Sequence, residues 1–365
     1  MSWILGKYND CGKIYSRFEK RAKERLDNYQ LTKNKCAPSR LGLLMLIKLK
    51  RNSVPTLTAG ATVVYLLMVS QISVAQSWVT DSVCPDDNHA NFHACAIEAA
   101  QSFKPALTAD GQPDMSGIWR RRSTAHENVH AHPKTIDDGG GASFVVDPPN
   151  GLVPIQPWAE AKRRQNRPEY VHPNAICRLS GIPLTMYMTG TMQFMQNAEH
   201  FLVQGEEAHA YRVVPVDARD HIGPSISLWN GDSVGRWEGS TLIIDTKNQS
   251  ALAWLDQRGR FFTDEAIVEE RFTLIDADTI HYQTTITDPN VYTQPFTMAL
   301  AYRRSTDKSF EVWEEACYEN NALASKQFKA VGYEVYPGMS GYEARRLRAA
   351  WEIEESELAL EESGL

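Results

Sequence analysis

The sequence predicts a mainly β fold: an antiparallel barrel of the lipocalin type, or a sandwich, with a few flanking helices and a C-terminal helix. Three observations predict it. After residue 200 the chain contains successive short runs rich in β-branched and aromatic side chains. Polar and apolar residues alternate within the runs, and the links between them are short and contain Asp, Gly, Asn or Pro. So many strands favour a closed barrel or a sandwich, because an open sheet leaves long exposed edges.

The predicted strands follow one another towards the C-terminus. Alternation is clearest in residues 279–287, where Tyr282 and Ile286 share one face and Gln283 lies on the other. Residues 205–209 contain turn-forming residues and predict a hairpin between the first two strands. The predicted strands are residues 200–204, 210–216, 240–246, 266–274, 279–287, 296–303 and 310–318.

Helices are predicted on both sides of the strands. Residues 76–103 predict a short helical region, and residues 157–170 predict one helix that begins at a proline. Ser340 and Glu343 have the spacing of a capping box, which predicts the start of an amphipathic helix that packs on the barrel or on a second subunit. The predicted regions are a leader (1–75), a helical and loop-rich extension (76–157), an antiparallel β domain (158–338) and a C-terminal helix (339–365).

The leader differs in charge from the rest of the chain. Residues 1–75 contain 13 Lys and Arg against 4 Asp and Glu, whereas residues 76–365 contain 25 against 41. Such asymmetry indicates a segment with a separate role. The acidic majority repels polyanions, so nucleic acid is not expected as a partner.

The leader also carries the features of an export signal. Lys48, Lys50 and Arg51 precede an apolar run over residues 57–72, and Ser73-Val74-Ala75 follows. Small residues at this spacing predict cleavage after Ala75, and hence a periplasmic or secreted protein. The run is shorter than the ~20 residues of a membrane span. An uncleaved anchor in the inner membrane and a buried helix are the alternatives, and membrane contact is expected only through this segment.

Four of the six cysteines follow the leader: Cys84, Cys95, Cys177 and Cys317. An even number in an exported chain is typical of disulfides. A Cys84–Cys95 pair would close a short loop, but three pairings fit the spacing, and buried thiols are the alternative. No spacing matches a C-x-x-C redox motif or a c-type haem attachment, and no cofactor is predicted.

Several segments together resemble a family of exported, β-rich bacterial proteins, numerous in proteobacteria and without an assigned activity. The resemblance spans about residues 110–325, and its most specific part is a W-x-G-D-S-x-G-R-W-E-G core. It implies a β-rich exported domain and transfers no catalytic residue. The family often has Cys-His-Glu where this chain has Cys317-Tyr318-Glu319, so no histidine role is expected there. The segments are PDMSGIW (113–119), WNGDSVGRWEG (229–239), ERF (270–272), DPNVYTQP (288–295) and CYENN (317–321).

Residues 231–235 match the G-x-S-x-G pattern of serine hydrolases, with Ser233 at the nucleophile position. That pattern acts on a strand-to-helix turn above a parallel sheet. Here a strand follows and the surroundings are antiparallel. A turn formed by Asp and Gly is therefore the better interpretation.

Histidines cluster in two places. His126, His130 and His132 lie close together in a polar loop, and His89 and His93 are one helical turn apart. Imidazole is a favoured zinc or copper ligand. Neither cluster has a carboxylate or thiolate partner at a fixed spacing, so no metal is predicted.

Polar side chains on otherwise apolar strands are the candidate catalytic groups. A carboxylate inside a barrel has a raised pKa unless it is paired, which suits a general acid or base. Structural Arg–Glu pairs and aromatic core packing are the alternatives. The candidate catalytic residues are Asp245, Glu314, His221, Glu269 and Arg271. The candidate ligand-binding residues are Trp229, Trp237, Arg236, Tyr211, Tyr282 and Tyr302.

Three functional hypotheses follow from this pattern. The first is an exported barrel that binds a small apolar or aromatic molecule and acts as a cofactor-free lyase, isomerase or hydrolase through a carboxylate–histidine pair. The second is a carrier with an apolar pocket and no acid–base pair. The third is an envelope interaction module with a filled barrel and an exposed apolar patch.

Overall fold

The computed structural model describes residues 80–135, 139–313 and 322–363. The predicted leader, with its cleavage after Ala75 and the alternative of a membrane anchor, lies outside the described residues. Glu314 and Cys317 also lie outside them.

The described chain has helices before and after a central run of consecutive strands. Two turns of 3₁₀ helix, Pro173–Ile176 and Glu207–His209, add to these elements. In chain order the elements are α1 His89–Ser102, β1 Gly117–Arg120, β2 Val145–Asp147, α2 Pro157–Glu169, β3 Tyr170–Val171, α3 Leu184–Tyr187, β4 Met192–Gln196, β5 His200–Gly205, β6 Tyr211–Pro215, β7 Asp232–Glu238, β8 Thr241–Lys247, β9 Ile267–Asp276, β10 Thr279–Thr287, β11 Phe296–Arg304, α4 Ala322–Ala330, β12 Glu334–Val335 and α5 Gly341–Ser363.

The main sheet is a nearly closed antiparallel barrel. Its strands follow the order β6-β5-β4-β1-β11-β10-β9-β8-β7, and β2 pairs with β11 beside this path. The two end strands approach each other, and Ala218, just after β6, donates its N–H to the Gly235 carbonyl in β7 at 3.1 Å. A Cβ added at Gly235 would lie 3.1–3.3 Å from Val214, Pro215 and Val216. Glycine therefore permits the close approach of the two ends.

The barrel interior is packed with aromatic rings. Phe194, Phe201, Phe272, Tyr282 and Tyr302 are each at most 1% exposed. Neighbouring rings among them have centroids 4.9–5.7 Å apart in tilted or edge-to-face arrangements. Such packing contributes both buried apolar area and favourable ring geometry. The barrel is thus built around a solid core.

One ion pair is buried within this core. Arg212 of β6 donates to Glu270 of β9 across the barrel, with Nη1 and Oε2 2.7 Å apart and both residues buried. Tyr282 donates its hydroxyl to the other Glu270 oxygen at 3.0 Å. Burial raises the pKa of Tyr282 well above its usual value, which keeps this hydroxyl protonated as a donor.

Helix α1 covers the outside of the sheet. Its Phe92 and Ala96 form a small apolar cluster with Ile275 of β9 and Ala301 of β11. Cys84 and Cys95, one of the pairings that the sequence left open, form a disulfide that fastens the preceding segment to the helix. Cys177 is also disulfide-bonded, and Cys317, one of the partners considered for it, lies outside the described residues.

Helix α5 begins where the capping box predicts. Glu343 donates its backbone N–H to the Ser340 hydroxyl at 3.1 Å, which satisfies one of the free amides of the first turn. Ala344 is buried, and Leu347 and Trp351 pack against the main core, whereas residues 352–358 are exposed. Within the ranges given above, no helix combines the length and apolarity that a membrane span requires.

Several strand predictions differ from the structure. Residues 310–313 are not a strand, and the rest of the predicted strand 310–318 lies outside the described residues. The turn predicted across residues 231–235 is instead mostly β7, since the turn ends at Gly231. Strands β1 and β2 lie in the segment predicted as helical and loop-rich, and β1 joins β4 to β11. The sheet therefore begins at Gly117, well before residue 158.

Candidate functional site

The candidate site is a cleft on the outer surface of the barrel, which we name the dyad cleft. It forms where β7 and β8 meet the segment that connects β6 to β7, and its volume is about 230 Å³. Three residues predicted from the sequence, His221, Arg236 and Asp245, line it together. The full lining is Ala218, Arg219, Asp220, His221, Val234, Gly235, Arg236, Asp245 and Lys247.

A histidine–aspartate pair lies at this cleft. His221 Nδ1 is 2.8 Å from Asp232 Oδ2, and the side chains are 17% and 18% exposed. The same carboxylate oxygen accepts the Ile222 backbone N–H at 2.9 Å. Asn248 donates its side-chain amide to the Ile222 carbonyl at 2.9 Å, which ties the connecting segment to the end of β8.

This geometry fixes the tautomer of His221. An ionised carboxylate only accepts hydrogen bonds, so Nδ1 must carry the proton that faces Asp232. In the neutral ring Nε2 is then unprotonated and can accept a proton. Among the described residues Nε2 has no hydrogen-bond partner within the chain. The pair therefore has the arrangement of a general base held by an orienting carboxylate.

Arg236 and Asp245 belong to a charged network on the outer face of β7, β8 and β9. Arg236 pairs with Asp245, donates from Nε to Glu238 at 3.1 Å, and places Nη2 3.9 Å from Glu269. Arg271 Nη1 lies 3.3 Å from Glu269. The groups meet because Asp245 and Glu269 are direct cross-strand partners on one face.

The hydrogen bonds of this network stabilise the charged form of Arg236. Burial opposes the charge of Arg236, but hydrogen bonds to Asp245 and Glu238 outweigh it and raise the pKa of Arg236. Glu269 and Arg271 are each about one-third exposed. The carboxylates expected inside the barrel therefore lie outside it, where Asp245 and Arg236 reach the dyad cleft and Glu269 and Arg271 support them from β9.

Lys247 is a further cation at this surface. It lies at the end of β8, lines the dyad cleft, and also lines a second, larger cleft. In the part of the chain that the structure describes, no carboxylate lies within ion-pair distance of its ammonium group. A cation without a partner between two clefts is suited to hold an anionic group of a ligand.

The predicted aromatic residues do not gather at one place. Tyr282 and Tyr302 belong to the buried core, where the Tyr302 hydroxyl donates to the Met186 carbonyl. Trp237 packs against the core from β7, and Trp229 lies beside Arg178, 5.6 Å from its guanidinium carbon. Tyr211 is 72% exposed on the outer face of β6.

Ser233 is not arranged as a nucleophile. It lies within β7 rather than on a strand-to-helix turn, and its buried hydroxyl is 2.9 Å from the Thr246 hydroxyl of β8. The contact is a cross-strand hydrogen bond that stabilises the pairing of β7 and β8. The G-x-S-x-G match is therefore structural.

The clustered histidines have separate hydrogen-bonding roles. His130 lies 2.7 Å from an Arg260 nitrogen and accepts the Val153 N–H, His132 lies 2.7 Å from the His130 carbonyl, and His93 lies 3.0 Å from His281. Within residues 80–135, 139–313 and 322–363, no three or more His, Cys, Asp or Glu side chains are grouped so that they could hold a metal ion.

Sequence reasoning missed two groups of the site. Asp232 was assigned to a turn, although it follows His221 by only 11 positions and a nearby carboxylate is the usual partner of a histidine. Lys247 received no role.

Inside the barrel, the sequence also contains a signal for a buried carboxylate. The alternation of β9 places Glu270 with Val268 and Phe272 on the buried face, which predicts a buried carboxylate that needs a partner.

Comparisons of this chain with protein-family models, curated proteins and solved structures gave no match.

Proposed function

We propose that this protein is an exported, cofactor-independent enzyme that binds a small polar molecule in the dyad cleft and transfers a proton through His221. The observation that carries the proposal is the 2.8 Å contact between His221 and Asp232 in a cleft that also contains Arg236, Asp245 and Lys247. Histidine held by a carboxylate is a recurrent general base.

The lining of the cleft limits the chemistry. No hydroxyl or thiol side chain is among its lining residues, so a serine- or cysteine-type covalent route has no nucleophile there. His221 Nε2 would take a proton either from a bound water or directly from the substrate. Asp232 would stabilise the resulting imidazolium, and the cations at the cleft would orient a polar or anionic group. These roles fit a lyase, an isomerase or a hydrolase.

The packed interior favours the outer cleft over a lipocalin-type cavity. A carrier of that type needs an apolar pocket inside the barrel, and this interior is filled by aromatic rings. The ligand we propose is accordingly polar, in contrast to the apolar or aromatic molecule predicted from the sequence.

The Cys84–Cys95 disulfide supports the exported part of the proposal. Disulfides persist in the periplasm and outside the cell and are rare in the bacterial cytosol. The basic, apolar leader and its predicted cleavage site are consistent with the same location.

Parallel screens of wild type and variants test the proposal. A panel of carboxylic acids, sugars and aromatic metabolites is tested for thermal stabilisation, and each hit is followed by NMR for turnover. We expect His221→Asn and Asp232→Asn to lower turnover by roughly 10²-fold or more, in the range of general-base catalysis. His200→Asn is the matched control, because His200 also has a glutamate nearby but is not among the residues that line the cleft. Equal turnover by wild type and His221→Asn contradicts the proposal.

A further inference from the structure

We propose that a second cleft, next to the dyad cleft, binds N-acylated amino acids or the carboxyl ends of short peptides; this rests on the proposed function, because it names the substrate class of the same surface. We name it the amide cleft. Its volume is about 490 Å³, roughly twice that of the dyad cleft. Its lining is Pro224, Ser227, Lys247, Asn248, Gln249, Asp264, Glu265, Ala266 and Ile267.

The first observation is a buried amide without a partner. Gln249 lines the cleft but is only 1% exposed. Its Oε1 accepts the Ile182 backbone N–H at 2.8 Å, which fixes the orientation of the amide. The Nε2 group then has no hydrogen-bond partner in the described chain. An unsatisfied buried donor needs an explanation, and the one we propose is a carbonyl oxygen of a ligand in the cleft that Gln249 lines.

The second observation is the position of Lys247 between the two clefts. The residue lines both of them, and no carboxylate of the described chain lies within ion-pair distance of its ammonium group. A carboxylate held by Lys247 would place one end of a ligand beside the His221–Asp232 pair. An amide carbonyl of the same molecule would extend towards Gln249 in the larger cleft.

The third observation is a group of apolar side chains on one part of the rim, whose remaining lining is polar or charged. Ile267 is 39% exposed in the cleft wall, and the neighbouring segment exposes Ile226 and Leu228 at 50% and 43%. Pro224 and Ala266 add further apolar surface to the lining. No aromatic platform of the kind that sugars stack on is among the lining residues. A carboxylate, an amide carbonyl and an aliphatic side chain together describe an N-acylated aliphatic amino acid.

A ligand series removes these three features one at a time. Isothermal titration calorimetry with the full chain measures the affinity for N-acetyl-leucine, which serves as the probe. N-acetyl-leucinamide lacks the carboxylate, N-acetyl-glycine lacks the aliphatic side chain, and free leucine lacks the acyl carbonyl. We expect saturable binding of N-acetyl-leucine and at least tenfold weaker binding of each of the other three. Equal affinity for N-acetyl-leucine and N-acetyl-leucinamide, or no saturable binding, overturns the inference.

Variants locate the binding within the molecule. We expect Lys247→Met and Ile267→Ser to weaken N-acetyl-leucine binding at least tenfold. The controls Lys326→Met on α4 and Ile353→Ser on α5 change exposed residues of the same types away from the clefts and should leave affinity unchanged. Unchanged affinity in Lys247→Met overturns the inference.

His221→Asn separates this inference from the proposed function. This variant keeps Lys247, Gln249 and Ile267, the residues proposed to hold N-acetyl-leucine in the amide cleft, so it should retain saturable binding of this probe. If it binds normally but turns over every substrate at the wild-type rate, the amide cleft stands and the proposed proton transfer fails. If N-acetyl-leucine does not bind wild type while His221→Asn abolishes turnover of another compound, the amide cleft fails and the proton transfer stands.

Discussion

Individual carboxylates on β9 have opposite roles although they are neighbours in sequence. Glu269 points outward, is 36% exposed and contacts two arginines at the surface. Glu270 points inward, is fully buried and pairs with Arg212. The alternation of a strand assigns one to a surface network and the other to the core. The energetic consequences of removing them should differ accordingly.

We predict that Glu270→Gln lowers the free energy of unfolding by about 3–5 kcal/mol, because it leaves the buried Arg212 charge without its counterion. The matched variant Glu269→Gln should cost no more than about 1 kcal/mol, the usual range for an exposed pair. Urea unfolding of both variants measures the difference. Similar losses in the two would show that Arg212 and Glu270 do not form a desolvated pair.

At the scale of elements, α1 is held to the barrel by an interface that contains three histidines. His89 stacks on Phe144, and His93 lies 3.0 Å from His281 of β10. Burial lowers the pKa of His89 to about 4 and that of His281 to about 3, and His93 lowers the pKa of His281 further. Burial also lowers the pKa of His93. These rings are packed in their neutral form.

We predict that stability falls as the pH drops from about 6.5 towards 4. The unfolded histidines take up protons below a pKa of about 6.5, whereas the buried ones resist protonation until their lowered folded pKa values, so acid favours the unfolded chain. His281→Gln should reduce the slope of unfolding free energy against pH by up to about 1.4 kcal/mol per pH unit in this window.

Chemical denaturation at a series of pH values measures that slope. Ile275→Val is the control, since it trims the same apolar interface without removing a titratable group. It should lower stability by a similar amount at every pH. If wild type and His281→Gln show the same pH dependence, the neutral packing of His281 is not what makes the protein acid-sensitive.

The strands that could be predicted from the sequence are the ones with strong local alternation. β10 spans residues 279–287 as predicted, because its apolar positions repeat every second residue. β1 and β2 were missed because they are only four and three residues long and are held by partners distant in sequence. Residues 310–313 alternate but form no strand. The edge of β11 that they would need is already occupied by β1 and β2.

At the scale of the whole molecule, barrel closure decides which candidate residues meet. The sequence identified candidate catalytic and ligand-binding residues by their type, and three of them, His221, Arg236 and Asp245, share a cleft. Their side of the sheet was not predictable, because Asp245 follows three buried residues and its local pattern fits a core strand. The pairing of Asp232 with a histidine was not predicted, because glycines on both sides of Asp232 favour a turn. Its partner lies on a loop whose position depends on the joining of β6 and β7.

We propose the oriented His221–Asp232 pair, outside a filled barrel, as the functional centre of the protein. Nitrogen-15 NMR of the histidine side chains tests it most directly, because it reports which ring nitrogen carries the proton without requiring a known ligand. For the neutral ring of His221 we predict the Nδ1–H tautomer, and we predict that Asp232→Asn removes this preference. A wild-type ring that is protonated on Nε2, or a tautomer that is unchanged in Asp232→Asn, would show that Asp232 does not orient His221 as proposed.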